Sequence, residues 1–358
     1  MAKVGENRID RVVILAGGSG ARLWPWTGPT LPKPLLPLGG GGRSLLRAVI
    51  DRATAFIDPR QIDIQTPLRL VESLRKVDGG LGDLKCTLEP SARDTGPAIA
   101  LAVRRLWQVD REAIVVFLPA DQRIEDEAAF AAAVDRAAGL AAEERLVCLG
   151  IRPDTAETGY GYIEVGEAIA GGSPQANSVR RFCEKPDLQT AERWLAAGTH
   201  YWNAGIFAFH VGYFWSLLEE FAPELAAAVA RYLATDDSAA WEAGPRISID
   251  YALLEKCPSL AVVGFEGGWS DVGQWRAIRR LIEAGDAGGI LSLPVTPEPQ
   301  PSPVDPPLTI LQIASDSVQE RVGEARALHL GPPGLVVSGP HGVLVTPWAE
   351  VDRVKSLV

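Results

Sequence analysis

The chain has 358 residues, 47% of them hydrophobic and 22% charged, and a formal net charge of -10. That length and apolar share suit one large α/β domain with a smaller companion, and the acidic balance argues against nucleic acid or an anionic membrane as a general partner. The polar start MAKVGENRID is no signal peptide, no uncharged apolar stretch reaches the length of a membrane span, and the four cysteines are scattered, so a cytoplasmic protein with reduced thiols is expected.

In chain order, the first element is a short apolar run, Val12–Leu15, which reads as a buried strand. It empties into a glycine-rich turn (Gly17, Gly18, Gly20) followed by Arg22, with Lys33 in a proline-framed segment beyond. Small residues let backbone amides converge on an anion, and two cations neutralise what the amides hold, so polyphosphate is the expected ligand. The turn lacks the Lys-Ser or Lys-Thr of a Walker loop, and Leu23 replaces the third glycine of a dinucleotide fingerprint. Next, Glu89 to Ala98 leads into a helix over Ala98–Trp107. Asp94 or Thr95 can cap that helix, with Pro97 in its first turn; the functional alternative sets Arg93 near phosphate and Asp94 near a base.

The strand Ile114–Leu118 ends in Pro119-Ala120-Asp121-Gln122. Asp121 can hold a divalent cation there, or simply cap the acidic segment before the helix Phe130–Ala141. A strand over Leu146–Ile151 precedes Thr158-Gly159-Tyr160-Gly161, whose glycines permit close backbone approach. The strand Val179–Cys183 delivers Glu184-Lys185-Pro186, a carboxylate for sugar hydroxyls beside an ammonium for phosphate, or else a solvated turn. Asn203, before the strand Gly205–Phe209, offers a donor and an acceptor; Asp271, after Gly267-Gly268, is a second candidate metal ligand or a cap for a helix from Trp275 to Ile282. Strands alternating with helices predict a mixed, mostly parallel sheet covered on both faces, with ligands beyond the carboxyl ends of its strands. Composition then divides the chain into a main domain over 1–288, a proline-rich linker over 289–308 and a small β-rich domain over 309–358. The last comprises the runs LTILQIA, ALHLG, GLVVSG and GVLVTP and a short terminal helix around Val351–Leu357.

Taken in order, AGGSGARLWP, PKPLLPLGG, EPSARDTGPAIALA, LPADQ, TGYGYIE, EKP, WNAGIF, SIDYALLEK and GWSDVGQW resemble the sugar-nucleotide pyrophosphorylases, and within them the mannose-1-phosphate guanylyltransferase family. The resemblance runs from Val12 to about Trp275 and implies a Rossmann-like nucleotide-diphospho-sugar transferase fold. It implies GTP and mannose 1-phosphate as substrates, GDP-mannose and pyrophosphate as products, Mg²⁺ as cofactor and a homodimer. On that resemblance Ala16, Gly17, Gly18, Gly20, Arg93 and Asp94 bind the nucleotide, and Arg22, Lys33 and Lys185 are catalytic. Gly161, Glu184 and Asn203 bind the sugar, and Asp121 and Asp271 hold the metal. Three departures stand out: Ala21 replaces the usual threonine, Gln122 stands where LPADH is common, and Asp94 stands where asparagine is frequent. A carboxylate at Asp94 can accept from N1–H and the exocyclic amine of guanine while repelling N1 of adenine, so it is expected to favour GTP. Longer family members carry an added isomerase domain; with the chain ending at Val358, no isomerase activity is expected.

Overall fold

The computed structural model describes residues 8–283, except 19, 30, 77–79 and 82–83, together with 291–292, 309–313, 321–322, 325–326, 334–339 and 342–356. The strands of the main part are β1 (Arg11–Leu15), β2 (Ile62–Pro67), β3 (Lys85–Glu89), β4 (Ile114–Pro119), β5 (Arg123–Ile124), β6 (Leu146–Ile151), β7 (Gly161–Ile169), β8 (Ala176–Glu184), β9 (His200–His210), β10 (Leu260–Phe265) and β11 (Trp269–Ser270). Nine of them form one sheet in the order β3-β2-β1-β4-β9-β6-β10-β8-β7, while β5 and β11 pair separately. The first four strands of that order are parallel neighbours. Beyond them β9 runs against both β4 and β6, and β8 runs against β10 and β7. The sheet is therefore mixed, with only β8 and β9 reversed.

Alternation along β1 explains why the sheet is covered twice. Val12 and Ile14 face a core built with Leu46, Val49 and the helix Glu127–Ala141, while Val13 faces another built with Ile99, Val103, Phe214 and Leu225. The strands and helices anticipated from the sequence in this part all form, most of them lengthened by one to several residues; β2, β3 and β7 mix polar with apolar residues and are not among the expected strands, and neither is β10, although LAVVGF is a continuous apolar run. The helices begin as their sequences dictate: Asp126 accepts from Ala129 N and Asp187 from Thr190 N.

In the C-terminal part, β12 (Leu291–Ser292), inside the expected linker, pairs in parallel with β13 (Thr309–Ile313). A hairpin links β14 (Arg321–Val322) to β15 (Ala325–Arg326), and β13 continues to β16 (Gly334–Gly339) and β17 (Gly342–Pro347). The rest of the linker and the whole of the run ALHLG lie outside the described residues. The terminal helix is a tight 3-10 helix over Trp348–Ser356. Its Val351 and Val354 join Val337 and Leu344 in a third core with Leu23, Trp26, Leu36, Val272 and Trp275. Trp26 and Trp275 stack there with ring centres 6.3 Å apart. The C-terminal part thus packs directly on the glycine-rich turn's flank and on the helix after Asp271.

Candidate functional site

The carboxyl ends of β1 and β4 lie side by side, with Leu15 opposite Pro119, so the segments that follow them emerge together. Ala120 N donates to Leu15 O at 3.0 Å, and a Cβ placed on Gly18 would lie 3.5 Å from Asp121 Oδ2. Buried Ala16 donates its N–H to Gln65 O, and Gly17 follows it beside Pro67. Gly20 has φ 71°, and a Cβ there would come within 2.7 Å of Lys33 Cβ; only glycine fits both the conformation and the approach. Ala21–Leu23 then form one 3-10 turn, and Arg22 on it pairs with no carboxylate among the described residues.

Lys33 is the joint of the site. The 3-10 turn Lys33–Leu35, preceded by Pro32, buries it so that Nζ donates to Asp121 Oδ2 at 2.9 Å and to the main-chain oxygen of Asp271 at 2.5 Å. Asp121 through its carboxylate and Asp271 through its main-chain oxygen therefore meet one ammonium, although Lys33 and Asp271 are 238 positions apart. The Asp271 carboxylate accepts from Gly273 N at 3.2 Å. Burial, then the nearby charge of Asp271, push the Tyr160 phenol well above its ordinary value. Tyr160, Trp202, Trp269 and Asp271, with Glu157 and Arg280, line a cavity of about 210 Å³.

A second group lies on β7, β8 and β9. Gly161 pairs with Glu184, and a Cβ on it would come within 2.6 Å of Glu184 Oε2, so glycine leaves room for the carboxylate. Glu184 forms an ion pair with the adjacent Lys185. Lys185 has φ 49°, an unusual conformation for a lysine, and its N–H donates to Tyr160 O at 3.1 Å. Burial works against its charge, but the bond to Glu184 and the fields of Asp250 and Tyr251 leave its pKa raised. Asn203 Nδ2 donates to Asp250 Oδ1 at 3.0 Å and its Oδ1 accepts from Gly205 N at 3.0 Å, which leaves one N–H and one lone pair for a ligand.

Arg93 and Asp94 stand apart from both groups in their contacts. Arg93 is spent on Glu242 Oε2 at 2.7 Å and Gly244 O at 2.5 Å. Asp94, at φ 74°, caps the helix Thr95–Val109 through Oδ1 to Thr95 N at 2.8 Å, as its capping reading requires.

Sequence reasoning passed over two residues that the fold brings into the site, Asp250 and Gln122, and one buried carboxyl outside its contacts, Glu89. Asp250 lies in a π-helical turn, a form that recurs at functional sites, and its carboxyl is pushed up to about 6 by burial and then by Glu184. The block SIDYALLEK contained it, but one acid in an apolar run carries no local signature of a site. Gln122, noted only as a departure, donates Nε2 to Ala204 O at 2.5 Å and accepts at Oε1 from Trp269 Nε1 at 2.9 Å. Glu89, closing β3, is held up to about 7 by burial, with Gln65 and Arg105 pulling it the other way.

The nucleotidyl transferase family matches residues 11–286 of the chain. The xanthan biosynthesis protein XanB of Xanthomonas campestris pv. campestris (strain B100) is 38% identical over 288 residues, 77% of this chain and 60% of that protein. The mannose-1-phosphate guanylyltransferase of Escherichia coli (strain K12) is 37% identical over 281 residues, 74% of this chain and 58% of that one. The chain therefore spans about 60% of the length of these curated relatives. Among solved structures, a mannose-1-phosphate geranyltransferase from Thermus thermophilus superposes with a TM-score of 0.75 at 28% identity, over 97% of each chain.

Proposed function

The chain belongs to the nucleotidyl transferase family, and we propose that it makes GDP-mannose and pyrophosphate from GTP and mannose 1-phosphate. The observation that carries this reading is the meeting of Lys33, Asp121 and Asp271 beside the glycine-rich turn, with Glu184, Lys185 and Asn203 as a hydroxyl- and phosphate-binding group on the neighbouring strands. Support for the particular substrates comes from the relatives named guanylyltransferase.

A sugar-phosphate oxygen attacks the α-phosphorus of GTP in line; the new P–O bond forms as the bond to the β-phosphate oxygen breaks, and pyrophosphate leaves. Ala16, Gly17, Gly18 and Gly20 offer backbone approach to the nucleotide, and Arg22 and Lys33 neutralise phosphate charge. Lys185 holds the sugar phosphate, Glu184 and Asn203 accept and donate to sugar hydroxyls, and Gly161 leaves them space. Fixing both substrates in this geometry supplies much of the rate. Asp94 keeps one carboxylate oxygen outside its capping bond, available to guanine. Arg93, tied to Glu242, would reach a phosphate only by leaving that pair.

Asp121 and Asp271 suit magnesium, which needs one or two carboxylates and completes its shell with water and phosphate; the ammonium bonded to Asp121 supports a preference for positive charge at that position. When bound, the ion would offset charge on the reacting phosphates.

The experiment is pyrophosphate release with Mg²⁺ from GTP, ATP, UTP or dTTP, each with mannose 1-phosphate or glucose 1-phosphate. Release confined to GTP with mannose 1-phosphate is expected. Release with another pair would move the specificity, and folded protein that binds GDP-mannose without turnover would refute catalysis.

A further inference from the structure

Gln122 is buried, follows a candidate metal ligand and makes two hydrogen bonds of opposite sense to two different parts of the site. Its amide N–H donates to the carbonyl of Ala204, between Asn203 and Gly205 on β9. Its amide oxygen accepts from the indole of Trp269, two positions before Asp271. Trp269 in turn packs edge-to-face with Tyr160, with ring centres 5.6 Å apart, and both line one cavity with Asp271. Three segments of the site thus lean on one side chain: the Asp121 turn that carries it, the Asn203–Gly205 segment, and the Trp269–Asp271 segment.

We propose that Gln122 is a positioning residue that sets the sugar pocket, holding Asn203 and the Trp269–Tyr160 wall in register with Asp121; this rests on the reading of the site given above. The chemistry of the side chain is specific. Two fixed partners, a carbonyl that can only accept and an indole that can only donate, require one donor and one acceptor on a single planar group. Glutamate supplies two acceptors and would face the Ala204 carbonyl with a charge. Methionine fills a similar space and supplies neither strong bond, leaving a buried carbonyl and a half-buried indole N–H without these partners. A neutral imidazole carries one donor and one acceptor and can replace the amide. The glycine-rich turn and Arg22 share no hydrogen bond with Gln122 among the described residues, and both partners of its amide lie in the Asn203 and Trp269 segments, so loss of the amide should tell on the sugar side more than on the nucleotide side.

The test is steady-state kinetics of Gln122→Met, Gln122→Glu and Gln122→His at pH 8, where imidazole is neutral. The KM for mannose 1-phosphate is expected to rise about 5- to 20-fold in the Met and Glu variants, the range for one or two lost buried hydrogen bonds, with the KM for GTP within about twofold. The His variant is expected to recover most of the loss. A second arm uses the partner side: Trp269→Phe removes the donor, and its effect combined with Gln122→Met should be clearly less than additive. Equal rises in both KM values, additive effects, or a Met variant with wild-type KM for the sugar phosphate would each overturn the proposal. If the Met variant fails to fold, the His variant and Trp269→Phe decide. Absence of turnover in the wild-type protein would instead refute the functional reading, so the two failures are distinguishable.

Discussion

At the phosphate end of the site, Ala16, Gly17, Gly18, Gly20, Arg22 and Lys33 come from one continuous segment after β1. At the sugar end, Gly161, Glu184, Asn203 and Asp250 come from β7, β8, β9 and a separate π-helical turn. The difference follows from what each ligand demands. A polyphosphate is satisfied by clustered amides and cations, which neighbouring residues can supply. A sugar presents hydroxyls in several directions, each needing its own partner, and no single loop can surround it. The phosphate end is accordingly one segment, tied to the rest of the fold chiefly through Lys33, whereas the sugar end is assembled from separate elements by bonds such as Asn203 to Asp250 and Gln122 to Ala204.

The largest effect should come where the phosphate end meets the two candidate metal ligands. Lys33→Met keeps the buried stem and removes the ammonium, so turnover should fall roughly 100- to 1,000-fold, the usual loss for one preorganised charge-stabilising group, while circular dichroism and melting remain close to wild type. Near-normal turnover would break the claim that Lys33 joins the phosphate end to Asp121 and Asp271. Gly20→Ala tests whether the phosphate end stands on its backbone. With φ 71° and Lys33 Cβ 2.7 Å from the added carbon, the turn must move, and KM for GTP should rise about tenfold or more with KM for the sugar phosphate little changed.

A smaller effect concerns pH and stability. The Asp250 carboxyl titrates at about 6 in the folded protein, above the ordinary value of 3.8, because it is buried beside Glu184. The folded state therefore holds a proton the unfolded state has released between those values. Keeping this group charged costs about 3 kcal/mol at neutral pH, and the cost is relieved as pH falls from about 6 towards 4. Glu89, at about 7, acts in the same sense. Melting temperature should rise on moving from pH 7.5 to 5, Glu89 contributing mainly above pH 6 and Asp250 mainly below it, and Asp250→Asn should raise it at pH 7.5 while flattening the part of the slope below pH 6. A melting temperature that falls over that interval would contradict the assignment. The smallest effect is expected at Arg93: with its guanidinium on Glu242 and Gly244, Arg93→Ala should lower melting by a few degrees and leave KM for GTP within about twofold. A tenfold rise would return Arg93 to the phosphate site.

The same contrast governs what could be read from the chain. Val12–Leu15 with the glycines, Arg22 and Lys33 is a local pattern, and the fold keeps it local. The alternation of strands and helices was equally legible, because each strand buried on both faces is a continuous apolar run. Individual acids such as Asp121 and Asp271 were legible as candidates, but their meeting at Lys33 depends on parallel pairing of β1 with β4 and on a chain reversal after β10. Asp250 and Gln122 were not legible as site residues, since their significance lies in partners 47 and 82 positions away. The packing of Val351 and Val354 against Leu23 and Trp275 was hidden for the same reason.

The decisive measurement is the pair of KM values in Arg22→Ala and Asn203→Ala, determined by pyrophosphate release from GTP and mannose 1-phosphate. A crossed pattern is expected: Arg22→Ala should raise KM for GTP and spare the sugar phosphate, and Asn203→Ala should do the reverse. If both variants shift both values together, or if Asn203→Ala weakens GTP alone, the division of the site into a phosphate end and a sugar end is wrong.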